Sequence, residues 1–170
     1  RKNAGVCAVM SQTAILAGGC FWGLEARFQD LKGVLDTEVG YIGGDFEDPT
    51  YREVCQDITG HVEAVKIEFD ESVLSYKDLV KAFFNFHDPT LCVDNCSSQS
   101  SQYGSIIFVM DEDQEKIAQA VLSEVKNSDQ FECEVITTIR PSTTFYLAEK
   151  YHQDYYKKHN LVDLDYSCSC

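Results

Sequence analysis

Positive charge is scarce in this 170-residue chain: 14 Lys and Arg stand against 28 Asp and Glu, a formal net charge of −14. Nucleic acid and anionic membrane are therefore poor partners, because long-range repulsion opposes both encounters. No apolar run approaches the roughly 20 residues that a membrane-spanning helix needs. Internal repeats, low-complexity blocks and linkers are absent too, so one catalytic-sized domain over 1–170 is the expectation, with its core over about 13–160. The 8 cysteines are too dilute for a mini-scaffold built on disulfides, and a chain this long does not need such staples. What is present is ordinary for a globular protein: 44% hydrophobic and 25% charged residues.

Arg1 and Lys2, then apolar residues up to Cys20, sketch a secretory signal ending at a lipid-modified cysteine. Ser11, Gln12 and Thr13 break that stretch, and Cys20 leads straight into an amphipathic segment, which argues against it. A soluble, cytoplasmic monomer is expected.

The apolar run over 13–17, closed by Gly18 and Gly19, suits a buried strand. Leu24, Phe28 and Leu31 then recur at helical spacing until Gly33. Residues 34–42 alternate as a strand, and 51–60 read as loop or irregular structure. The clearest strand covers 61–70, with Val65, Ile67 and Phe69 on one face and Lys66, Glu68 and Asp70 on the other. Ser75 with Asp78 three residues on marks a helix start, and Pro89 ends that helix. Residues 91–102 are polar and turn-like, 105–110 form a strand, and Asp111 opens another helix through Val125. Residues 134–139 alternate as one further strand, and the aromatic stretch of Tyr146, Tyr151, Tyr155 and Tyr156 reads as a last helix before a flexible, cysteine-bearing tail over 161–170. This order predicts an α+β fold, a two-layer α/β sandwich with a mixed sheet and a ferredoxin-like core.

Cys20 stands where a buried strand turns through two glycines into a helix, near backbone N–H groups that favour thiolate over thiol. From position alone it is either a nucleophile or an inert core thiol beside Phe21 and Trp22. Glu63 shares a strand face with Val65, Ile67 and Phe69. A carboxyl pointing to the core tends to stay protonated and can donate a proton, unless it reaches water at the strand's end.

The runs Gly19-Cys20-Phe21-Trp22-Gly23, Gly40-Tyr41-Ile42-Gly43-Gly44, Pro49-Thr50-Tyr51-Arg52-Glu53-Val54-Cys55, Gly60-His61-Val62-Glu63, His87-Asp88-Pro89-Thr90 and Gln102-Tyr103 closely resemble the peptide methionine sulfoxide reductase A family. The resemblance implies thiol-dependent reduction of methionine S-sulfoxide, peptide-bound or free, in the repair of oxidised proteins, with thioredoxin as the final electron donor and no metal or other cofactor. It matches Cys20 to the nucleophile, Glu63 to the acid, Phe21 and Trp22 to the wall that takes the substrate's methyl group, and Tyr51 and Tyr103 to hydroxyls that bind the sulfoxide oxygen. It implies Cys168 as resolving thiol and Cys170 as a second relay.

One stretch departs from the family. Ser98 occupies the place of an aspartate that helps hold the substrate, which bears on affinity and on preference for peptide over free substrate. Cys92 and Cys96 are unexpected as well: alternative resolving thiols, a regulatory disulfide or loop residues. With Cys168 and Cys170 they outline the other reading, a non-catalytic cysteine-rich module that holds a metal or an oxidised methionine, although their gaps do not match the usual zinc pairing. Cys7, Cys55 and Cys133 read as structural, and His61, His87 and His152 as hydrogen-bonded structural histidines.

Overall fold

A computed structural model describes residues 9–91 and 104–161. Among them run β1 (Ser11–Gly18), α1 (Phe21–Gln29), β2 (Val34–Ile42), α2 (Tyr51–Cys55), β3 (Val62–Asp70), α3 (Tyr76–Phe86), β4 (Thr90–Leu91), β5 (Ser105–Val109), α4 (Glu112–Lys126), β6 (Glu134–Val135), β7 (Thr138–Pro141), β8 (Tyr146–Leu147), a 3-10 turn (Lys150–His152) and α5 (Tyr155–Lys158). Six strands form one sheet in the order β7-β5-β1-β3-β2-β8. Its centre, β5-β1-β3-β2, is antiparallel throughout and is joined by α1 and α3 in the ferredoxin-like manner. Only β7 runs parallel to its neighbour, β5, so the sheet is mixed.

Alternation decides which residues meet the helices. Ala14 and Leu16 of β1, Val39 and Tyr41 of β2, and Val65, Ile67 and Phe69 of β3 share one apolar core with Phe21, Leu24 and Phe28 of α1 and Leu79, Val80 and Phe83 of α3. Ile15 and Ala17, Ile42, Val62, Ala64 and Phe108 form a second core on the opposite face, covered by Phe145. The caps follow the sequence: Ser75 accepts from the Asp78 N–H at 3.1 Å, and Asp111 from the Gln114 N–H at 2.8 Å.

Three expectations are corrected. The stretch over 51–60 is not all loop: Thr50 and Glu53 form a reciprocal capping box that starts α2. The single strand over 134–139 is two, because β6 pairs with β4 and the Ile136 N–H donates to the Pro89 carbonyl at 2.8 Å, while β7 turns away to β5. The aromatic stretch is not one helix either. Tyr146 and Leu147 join β2 as β8, and helical turns begin only at Lys150. Gly40 permits that pairing, since a Cβ there would lie 2.4 Å from the Tyr146 carbonyl oxygen. The tail over 162–170 lies outside the described residues.

Candidate active site

The site begins at the corner between β1 and α1. Gly19 turns the chain with φ +91°, a left-handed backbone that disfavours any side chain, and the space its Cβ would occupy is open. Cys20 follows as the residue capping α1, at φ −57° and ψ 122° and half-buried, a thiol rather than half of a disulfide. It caps a nine-residue helix whose first-turn N–H groups follow directly, though its side chain takes no cap hydrogen bond from them.

The β1–β3 ladder pairs Leu16 with Val65, and the same register carried two residues on sets Gly18 level with Glu63. Glu63 is 1% exposed, on the helix-covered face, and lies directly across the β2–β3 ladder from Tyr41. The Tyr41 ring lies 5.9 Å from that of Phe21. Burial first, then the carboxyls of Glu149 and Glu63, push the Tyr41 phenol far above its ordinary range.

His152 gathers the rest. It is fully buried, with ring centroids 5.2 Å from Phe21, 5.6 Å from Trp22 and 4.6 Å from Tyr51. The Trp22 indole N–H, which can only donate, reaches His152 Nδ1 at 2.9 Å. The ring proton therefore sits on Nε2, which lies 3.3 Å from Glu149 Oε2. Glu149 accepts in turn from the Tyr41 hydroxyl at 3.3 Å, the Tyr51 N–H at 3.2 Å and the Tyr151 hydroxyl at 2.9 Å. Trp22 is also stacked on Tyr155, centroids 3.8 Å apart and planes within 5°. The structure thus brings Cys20, Phe21, Trp22, Tyr51 and Glu63 to one end of the sheet. Tyr103, Cys168, Cys170, Cys92, Cys96, Ser98 and Cys7 lie outside the described residues.

His61 and His87 brace backbone instead. His61 accepts from the Gly44 N–H at 3.0 Å and donates to the Phe46 carbonyl at 2.7 Å. His87 donates from Nδ1 to Phe83 at 2.6 Å and accepts from the Ser105 hydroxyl, itself 2.8 Å away and joined to Thr137 at 2.7 Å. Burial pushes its pKa down to about 4. Cys55 departs from the structural role expected of it, being an exposed thiol at the end of α2, whereas Cys133 is disulfide-bonded. Among the described residues no group of three or more His, Cys, Asp or Glu is placed to hold a metal ion. No described helix is long and apolar enough to cross a membrane.

The model of the peptide methionine sulfoxide reductase family matches residues 12–169. The chain belongs to that family. Peptide methionine sulfoxide reductase MsrA of Deinococcus radiodurans is 46% identical over 146 residues, 86% of this chain and 71% of the relative. MsrA of Natronomonas pharaonis is 44% identical over 149 residues, 88% of this chain and 84% of the relative. Among solved structures, reduced Mxr1 of Saccharomyces cerevisiae superposes with a TM-score of 0.80 at 28% identity, over 94% of this chain and 90% of that one. Methionine sulfoxide reductase A of Corynebacterium diphtheriae does so with 0.79 at 29% identity, over 89% and 76%. Sequence reasoning missed Glu149 and Glu25, and the only signal for Glu25 was an acid set among Leu24 and Phe28 on the apolar stripe.

Proposed function

We propose that this chain reduces methionine S-sulfoxide in proteins through Cys20 and is recycled by thioredoxin, acting as a single catalytic domain. The observation that carries the reading is Cys20 at the head of α1, at the same end of the sheet as the buried Glu63 and the Phe21–Trp22 pair.

A sulfoxide sulfur is a poor electrophile until its oxygen is protonated or strongly hydrogen-bonded. Glu63, Tyr51 and Tyr103 supply that polarisation, and burial suits Glu63 to holding a proton. The Cys20 thiolate attacks the sulfur while Phe21 and Trp22 receive the methyl group. The oxygen passes to Cys20, methionine leaves as the thioether, and Cys20 is left as a sulfenic acid. The Cys168 thiol then condenses with it, releasing water and forming a disulfide. Exchange with a dithiol, through Cys170 as relay, reopens that bond.

Single-turnover and recycling assays separate the two cysteines. Cys20→Ser is expected to abolish the first turnover, and Cys168→Ser to spare it and block recycling by thioredoxin. A Cys168→Ser enzyme that cycles normally would reject that resolver. Disulfide mapping before and after one equivalent of substrate identifies the partner of Cys133 and tests Cys92, Cys96 and Cys170 as alternative resolving thiols.

The cytoplasmic placement is part of this reading. One observation favours an oxidising compartment instead, the disulfide at Cys133, since such bonds are rare in reducing cytosol. Thiol trapping in intact cells decides: Cys133 recovered reduced supports the cytoplasm, and Cys133 recovered oxidised rejects it.

A further inference from the structure

Glu25 lies on the buried face of α1, 1% exposed, among Phe21, Leu24 and Phe28 of the same helix. A carboxyl survives in such a place only where donors meet it. The Thr37 hydroxyl donates to Oε1 and the Asp154 backbone N–H to Oε2, each at 3.0 Å. Gln29, one turn along, ties the same two partners together: its amide donates to Thr37 Oγ1 at 2.9 Å and to Asp154 Oδ1 at 2.7 Å. Asp154 holds a left-handed backbone, φ 53° and ψ 36°, immediately before α5. The first residue of α5 is Tyr155, whose ring covers Trp22. The corner at Asp154 therefore sets where that ring lies.

We propose that Glu25 is a positioning residue for Trp22: it holds the Asp154 corner against α1, fixes Tyr155 over the indole, and so shapes the wall that receives the sulfoxide's methyl group. The inference rests on the reading of Trp22 as part of that wall. Glu25 touches no reacting atom and acts through Asp154 and Tyr155. The charged groups that face it are Asp154 and Lys157, both from the α5 end. The hold does not need a negative charge, because a protonated Glu25 can donate to Thr37 and still accept from Asp154. Glutamine can do the same, its amide oxygen accepting and its NH2 donating.

Trp22 is the only tryptophan of the chain, so its fluorescence reports this corner alone. In the full-length reduced enzyme, Glu25→Leu is expected to move the Trp22 emission to longer wavelength and to raise KM for a methionine sulfoxide peptide about tenfold, while Cys20 is alkylated at the parent rate. Glu25→Gln is expected to restore both emission and KM. Unchanged emission in Glu25→Leu overturns the proposal, and so does a Glu25→Gln enzyme shifted as far as Glu25→Leu. A shift in emission with KM unchanged sustains the hold on Trp22 and overturns the wall reading instead. Should Glu25→Leu not fold, Glu25→Asp replaces it: one methylene shorter, it cannot span both donors, and parental emission in that variant overturns the proposal.

Discussion

Glu25 and Glu63 are both 1% exposed, and both lie between the sheet and its helices. Their surroundings differ. Glu25, midway along α1, accepts from the Thr37 hydroxyl and the Asp154 backbone N–H, and Gln29 ties those two partners together. Glu63 shares a ladder rung with Tyr41 at the end of the sheet where Cys20 begins α1. Burial alone therefore does not nominate a catalytic acid. What decides is whether the protein's own elements close around the carboxyl or leave it beside the position of a reacting group.

The largest effect expected from that contrast is on chemistry. Glu63→Ala should slow single-turnover reduction by about 10²–10⁴-fold, and Glu63→Gln by less, since the amide can still donate a hydrogen bond. Glu25→Gln should change the same rate less than about threefold. Equal losses at the two positions, measured by quenched-flow thiol counting, would erase the distinction.

Next comes the pH dependence of stability. Burial raises the Glu25 pKa most, the Thr37 hydrogen bond pulls it back, and the Asp154 carboxylate raises it again, from 4.5 to about 7. The folded protein thus holds this proton more tightly than the unfolded chain does. Its stabilising contribution is complete below pH 4.5 and is lost as pH rises through about 7. Denaturant unfolding of parent and Glu25→Gln should diverge by about 2 kcal/mol between pH 4.5 and pH 8, the full shift being reduced for screening at the α1–α5 seam, with the parent losing the more. His87 has the opposite slope: its pKa falls from 6.5 to about 4, so its contribution is present above pH 6.5 and lost on acidification. Both proteins carry His87, so the difference between them isolates Glu25. A constant difference across that range would remove Glu25 as the titrating group.

The smallest effect is local. Thr37→Val deletes one donor to Glu25 at nearly constant shape and should cost about 1 kcal/mol at pH 7. It should also move the Glu25 midpoint further up, because the Thr37 hydrogen bond lowers it. A downward move would show that the hydroxyl does not stabilise the carboxylate.

Short-range patterning made the central strands and two helices readable from the sequence. Val34–Ile42 has the strand's full extent, Ser75 and Asp111 cap where their side chains predict, and alternation puts Glu63 on the helix-covered face. The same patterning misleads where distant partners decide. Thr50 and Glu53 carried a capping box inside a polar stretch that reads as loop. Residues 134–139 alternate without a break, yet β4 and β5 divide them. The motif carried Cys20, Phe21 and Trp22, whereas their support is non-local: His152 meets Trp22 across 130 positions, and Asp154 meets Glu25 across 129. No window on the chain spans such a distance.

Gln153 has a consequence for solubility. Its side-chain amide accepts from the Val39 N–H at 2.9 Å and donates to the Val39 carbonyl at 2.8 Å, which also accepts from the Ala148 N–H at 3.0 Å, so both backbone groups of this rung of β2 beside the short β8 are taken. An open strand margin invites pairing with a foreign chain and, from there, fibril growth. By plugging that rung with an amide, and with Asp36 and Glu38 charged further along, the molecule denies a stray strand its template.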